Sequence, residues 1–163
     1  MAETYEKISS TTLGSATASH EFTSISGSYT DLVLIANGGF VTTGQAFYFQ
    51  FNSDSTSLYS YNFIAGSGTV ASAGASSGSG IAAANVTGAG DTEIKSLAIL
   101  HLQDYSNASK FKTCFIKGGQ DTNVQAVVGM YRSNTAITAI KVLATNGNLQ
   151  SGSTFTLYGI KAA

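Results

Sequence analysis

Charge is the first thing this chain lacks. Its 163 residues hold eight Lys and Arg and nine Asp and Glu, about 10% of the total, where an ordinary soluble domain carries roughly a quarter. Like charge on surfaces keeps monomers apart, so a skin this neutral describes a building block meant to lie against copies of itself or a larger assembly. The formal net charge of −1 and the scatter of the basic residues leave no positive field, which excludes nucleic acid as a partner. Proline and tryptophan are absent, and there is one cysteine, Cys114. A single thiol excludes an internal disulfide, and its setting in Phe111-Lys112-Thr113-Cys114-Phe115 reads as a strand with a buried, inert sulfur. The longest apolar run, Leu32–Ala36, is far below the roughly 20 residues that span a bilayer, so no membrane is expected. The opening MAETYEKISS shows no basic segment leading into an apolar one, and the expectation is a protein made in a cytoplasm.

Histidine is nearly missing too: His20 and His101 stand far apart, each in a strand-like context, and a metal centre would need ligands converging from elsewhere. No metal and no cofactor are expected. Capped amphipathic helices are absent, and with them the βα alternation of parallel-sheet nucleotide folds.

What is present has a period of two. Phe47-Tyr48-Phe49-Gln50-Phe51 puts three phenylalanines on one face, as a half-buried strand requires. Comparable runs fall near 4–9, 18–24, 31–37, 60–65, 80–86, 93–103, 110–117, 124–132, 136–144 and 153–161, separated by turn residues such as Asn37-Gly38-Gly39 and Asn146-Gly147-Asn148. Short strands at this spacing predict an all-β, antiparallel β-sandwich, jelly-roll-like, in one domain over 1–163. Its expected core is Phe47, Phe49, Phe51, Leu100, Leu102, Phe111, Phe115, Ile140, Val142, Phe155 and Leu157.

Residues 66–90 break the pattern. This tract is mostly Gly, Ala and Ser, and no charge occurs between Asp54 and Asp91. It reads either as a flexible surface insertion or as thin strands, around Val70 and over Ile81–Val86, ordered by a neighbouring subunit. A buried contact avoids the desolvation cost of charge, which makes Val70, Ala82, Ala84 and Val86 the candidate subunit-interface residues.

Motifs for catalysis are weak. Gly74-Ala75-Ser76-Ser77-Gly78 matches the Gly-x-Ser-x-Gly elbow, with Asp91 and His101 following in hydrolase order, but no strand-to-helix turn surrounds it. Gly78-Ser79-Gly80-Ile81-Ala82-Ala83 imitates a dinucleotide loop with no helix behind it. Asp91, Asp104 and Asp121 sit where turns need side-chain caps. No catalytic residues are assigned.

Both ends of the chain resemble a known group. Thr4–Ser9, His20–Ile25 and Tyr29–Leu34 at the start, and Ser151–Lys161 at the end, are similar to small virion structural proteins of tailed bacteriophages, with Phe47–Asn52 and Ile137–Leu143 taking the places of strands in that layout. The resemblance implies a jelly-roll-like, non-enzymatic virion subunit. A capsid decoration or cement protein that bridges major capsid subunits is the expected form, with a homo-oligomer, a trimer above others, as its state. The alternative is a tail or fibre component that partners other tail proteins and holds a host glycan on Tyr59, Tyr61 and Tyr105.

Overall fold

Alternating side chains build two sheets here because each strand has one face to bury and one to leave. A computed structural model describes residues 4–83, 96–120 and 123–161. The strands are β1 (Tyr5–Thr12), β2 (Ser19–Phe22), β3 (Asp31–Gly38), β4 (Phe47–Phe51), β5 (Tyr59–Ser67), β6 (Val70–Gly78), β7 (Ile81–Ala83), β8 (Ser96–Gln103), β9 (Lys112–Gln120), β10 (Asn123–Tyr131), β11 (Ile140–Ala144) and β12 (Thr154–Ile160). One sheet runs β1-β12-β3-β8-β9-β10-β5-β6 and the other β2-β11-β4-β7, every pairing antiparallel.

The order contains a jelly roll. Setting aside β5, β6, β9 and β10, the remaining strands pair first with last, last with third and third with sixth in the large sheet, and second with seventh, seventh with fourth and fourth with fifth in the small one. That is the double Greek key of an eight-stranded jelly roll. The other four strands are two antiparallel insertions, β5–β6 between two small-sheet strands and β9–β10 between β8 and β11. They pair with each other through β5 and β10 and double the width of the large sheet.

The core lies between the sheets. Phe47, Phe49, Phe51, Leu100, Leu102, Ile140, Val142, Phe155 and Leu157 are all fully buried, as expected from their strands. Phe111 and Phe115 are not: they are 53% and 43% exposed, and Lys112, Cys114 and Ile116 take the inward places of β9. Cys114 lies opposite Gly129, and a Cβ on that glycine would fall 2.9 Å from the Cys114 sulfur and 2.6 Å from Ile81. A space this tight admits a thiol and no phenyl ring. Burial pushes the Cys114 thiol up to about 12, which keeps it protonated and unreactive.

The tract over 66–90 is ordered as far as it is described. Its first residues finish β5, and a two-residue loop, Gly68-Thr69, turns the chain into β6. Gly68 has φ +59°, at the first loop position, where a type II′ hairpin turn calls for glycine. The thin strand expected around Val70 is therefore nine residues long and pairs within its own chain. Ile81 and Ala83 are buried in their own core, beside β4.

Candidate functional site

The insertions are held to the jelly roll by a polar and aromatic joint. Between β4 and β5 the backbone turns through Asn52 and Ser53, both at positive φ. Asn52 Oδ1 accepts from the Thr138 and Ala139 amides at 2.8 and 3.2 Å. Asp54 accepts from the Thr56 hydroxyl at 2.6 Å, the Thr56 amide at 2.8 Å and the Tyr131 hydroxyl at 2.8 Å, and these bonds hold its carboxyl below the usual range. Tyr59 stacks on Tyr131 with ring centroids 4.7 Å apart, and its hydroxyl accepts from the Phe51 amide at 2.9 Å. The first turn of β5 is thus clamped against the end of β10.

With that joint fixed, the outward side chains of the widened sheet fall into register. One row runs Val33, His101, Phe115, Val128, Asn62, Ala75; the next runs Ile35, Ile99, Lys117, Ala126, Ile64, Ala73; a third runs Asn37, Leu97, Gly119, Val124, Gly66, Ala71. Ile64 is 66% exposed, Val124 64% and Val128 52%, and Leu97 and Met130 are also open. Together with Phe115 they leave roughly 600 Å² of apolar surface facing water, the upper end for the largest patch on a monomer. Ile64, Gly66, Ala71, Ala73, Val124 and Ala126 line an open apolar trough of about 680 Å³ on this face.

Charge is nearly absent from it. Across β3, β8, β9, β10, β5 and β6, only Asp31 and Lys117 are charged among the outward positions. Asp31 is engaged: its carboxylate lies 2.9 Å from His101 Nε2 and accepts from the Asp104 amide at 2.8 Å. The pair anchors the turn after β8, where Asp104 sits at positive φ and takes up Asn107 and Lys110. Asp104 thus serves as the turn cap expected of it.

The residues singled out from sequence are dispersed. Val70 is 64% exposed at the start of β6. Ala82 is half-buried in β7, opposite Tyr48. Ala84 and Val86 lie outside the described residues, as do Asp91 and Asp121. Ser76 stands on β6, separated from His101 on β8 by β5, β10 and β9, so the structure does not bring that serine and histidine together. No helix follows Gly78–Ala83; β7 does. The glycan platform fails on burial: Tyr59 and Tyr105 are fully buried and Tyr61 is half-buried. Tyr105 points its hydroxyl inward to the Ser26 carbonyl. These rings fill the core ends, and none offers an open face to a sugar.

His20 has its own small groove, about 220 Å³, lined by Ile8, Thr11, Phe22, Ile25 and Leu157 among others. Its ring stacks on Phe155 at 5.6 Å and meets Phe22 edge-on at 4.7 Å, and Nε2 is buried with no hydrogen-bond partner. Burial lowers its pKa and keeps it neutral. Among the described residues no three His, Cys, Asp or Glu gather to hold a metal ion, and no helix is long and apolar enough to cross a membrane.

Comparison with protein-family models and with curated proteins finds no match to this chain. The class that the fold itself defines is an all-β sandwich of two antiparallel sheets.

Proposed function

We propose that this protein is a non-enzymatic structural subunit that docks through the outer face of its large sheet. The observation that carries the reading is where the apolar surface lies. Ile64, Val70, Phe115, Val124, Val128 and Met130 are exposed, and all six stand on the four strands added to the jelly roll. The eight-stranded frame closes a core by itself, so the additions serve a surface. Leaving that much apolar area in water is costly unless a partner covers it.

The finer reading is a virion decoration or cement protein that bridges major capsid subunits, and it rests on the resemblance of Thr4–Ser9, His20–Ile25 and Ser151–Lys161 to tailed-phage virion proteins. A subunit that binds only the assembled shell stabilises that shell by mass action, and symmetric repetition multiplies weak contacts. Quantitative mass spectrometry of purified particles tests it. Hundreds of copies per particle support decoration, a few tens or fewer place the protein in the tail or fibre, and none removes the virion reading.

A further inference from the structure

An unpaired sheet edge is a template for another strand, and proteins that stay single guard it. Three of the four edges here are guarded. β1 carries Glu6 and Lys7 and an irregular register between Lys7 and Ser9; β2 is four residues long and carries Glu21; β7 is three residues long. β6 has none of these devices. It is nine residues of Val, Ala, Ser and Gly with no charge, no proline and no register shift. Among the described residues nothing pairs with its far side. It also buries no side chain fully, so its own chain gains little from ordering it.

We infer that β6 is a homodimer edge, which pairs antiparallel with β6 of a second copy across a two-fold axis; the inference rests on the assembly reading above. The Arg132 amide donates to the Leu58 carbonyl at 2.8 Å. In the alternation of an antiparallel ladder, that bond assigns Ser60, Asn62, Ile64 and Gly66 to β10, and turns the odd-numbered residues of β5 toward β6. In the β5–β6 register, Val70, Ser72, Gly74, Ser76 and Gly78 then bond β5. The amides and carbonyls of Ala71, Ala73, Ala75 and Ser77 are left facing outward. One self-pairing uses all four: Ala73 against Ala75 of the other copy and Ala71 against Ser77, with the axis at Gly74.

Several features favour a second copy as the occupant. An antiparallel strand paired with itself is isologous, so the hydrogen bonds that one copy offers the other returns. Neither strand bears charge, so the approach meets no repulsion. At Gly74, on the axis, the backbones come closest, and the residue has no side chain to obstruct them. Its place on the inner face is filled by Phe63, whose ring lies 2.7 Å from where a Cβ would be. Pairing also sets the apolar troughs of the two copies side by side along the seam, so edge and face together approach the roughly 800 Å² per partner of a standard interface.

Sedimentation at roughly 100 μM, where even a weak homodimer is populated, should give twice the 16.8 kDa chain mass. A single-chain or three-chain mass overturns the proposal. Ala75→Pro removes an amide that faces away from β5, so the hairpin stays paired while two hydrogen bonds per dimer vanish, and the dissociation constant should rise about tenfold or more. An unchanged dimer overturns the proposal. Because that variant could misfold, a charge exchange keeps the test sharp. Ala73→Lys with Ala75→Lys, and Ala73→Glu with Ala75→Glu, should each be monomeric, and mixing them should yield a one-to-one heterodimer. A mixture that stays monomeric refutes this register. Should wild type remain monomeric while Val128→Lys still abolishes uptake into particles, the assembly reading stands and the edge pairing falls; if particle uptake is also indifferent to Val128, both fall.

Discussion

Val128→Lys separates the fold from the surface. Val128 is 52% exposed on β10, between Phe115 and Asn62 on the neighbouring strands. A lysine there reaches water and leaves the core untouched, so the isolated domain should lose no more than about 0.5–1 kcal/mol. Docking is different. The open part of the valine amounts to roughly 80 Å², whose burial contributes about 2 kcal/mol, or nearly 30-fold in affinity. A lysine in its place forfeits that and adds the desolvation of an ammonium set against Ile64-type neighbours, which takes the total past roughly a hundredfold. The assay has two arms: thermal melting of the purified variant, and its association with itself or with particles at matched concentrations. A melting point near wild type with association lost is the expected result. Association unchanged, or a drop of many degrees with association proportional to folded protein, would refute the reasoning.

Other outcomes follow from the interior. Phe49→Ala should cost about 3–5 kcal/mol, since the ring is fully buried in β4, whereas Phe115→Ala should cost under about 1 kcal/mol; chemical denaturation of both decides the β9 register. Lys112 is 1% exposed, with Nζ donating to the Lys110 carbonyl at 2.8 Å, and burial lowers its pKa. Its fold carries the cost of a buried ammonium below the folded pKa and sheds it as pH rises toward 10.5. Lys112→Met should therefore gain about 1 kcal/mol at neutral pH, an advantage that shrinks in alkali, as read by melts from pH 7 to 10.5. His20 is held neutral by burial, so stability should be full above its unfolded pKa of about 6.5 and decline as pH falls below it. His20→Leu should flatten that limb of the curve, and a limb that survives the substitution would place its cause elsewhere.

Where a strand has one wet face and one dry face, its register was legible. Phe-Tyr-Phe-Gln-Phe in β4 and Phe-Thr-Leu in β12 each admit a single inward side, and both lie as read. β9 was not legible, because Phe111, Phe115 and Thr113 on one face compete with Cys114 and Ile116 on the other. The ambiguity had a physical source: the outer face of that strand is apolar as well. β6 escaped notice for the opposite reason, since Ala, Ser and Gly carry no amphipathic period, and it is a strand through pairing with β5. The lack of charge pointed to association from the start. Its location did not follow from Ala82, which is committed to β7, because no pattern within one segment shows that β5, β10 and β9 lie side by side. Tyr59 and Tyr105 were taken for surface rings because turn-flanking tyrosines look exposed in sequence. Here their hydroxyls satisfy backbone groups of Phe51 and Ser26.

Carbene footprinting read by mass spectrometry tests the docking face most directly. Phe115, Val124, Val128 and Met130 should label strongly in dilute protein and lose most of that labelling in the assembled state, while the equally open Tyr5, on β1 at the far edge of the sheet, keeps its own. Equal labelling of the four residues in dispersed and assembled protein would contradict the claim that this face is where the subunit docks.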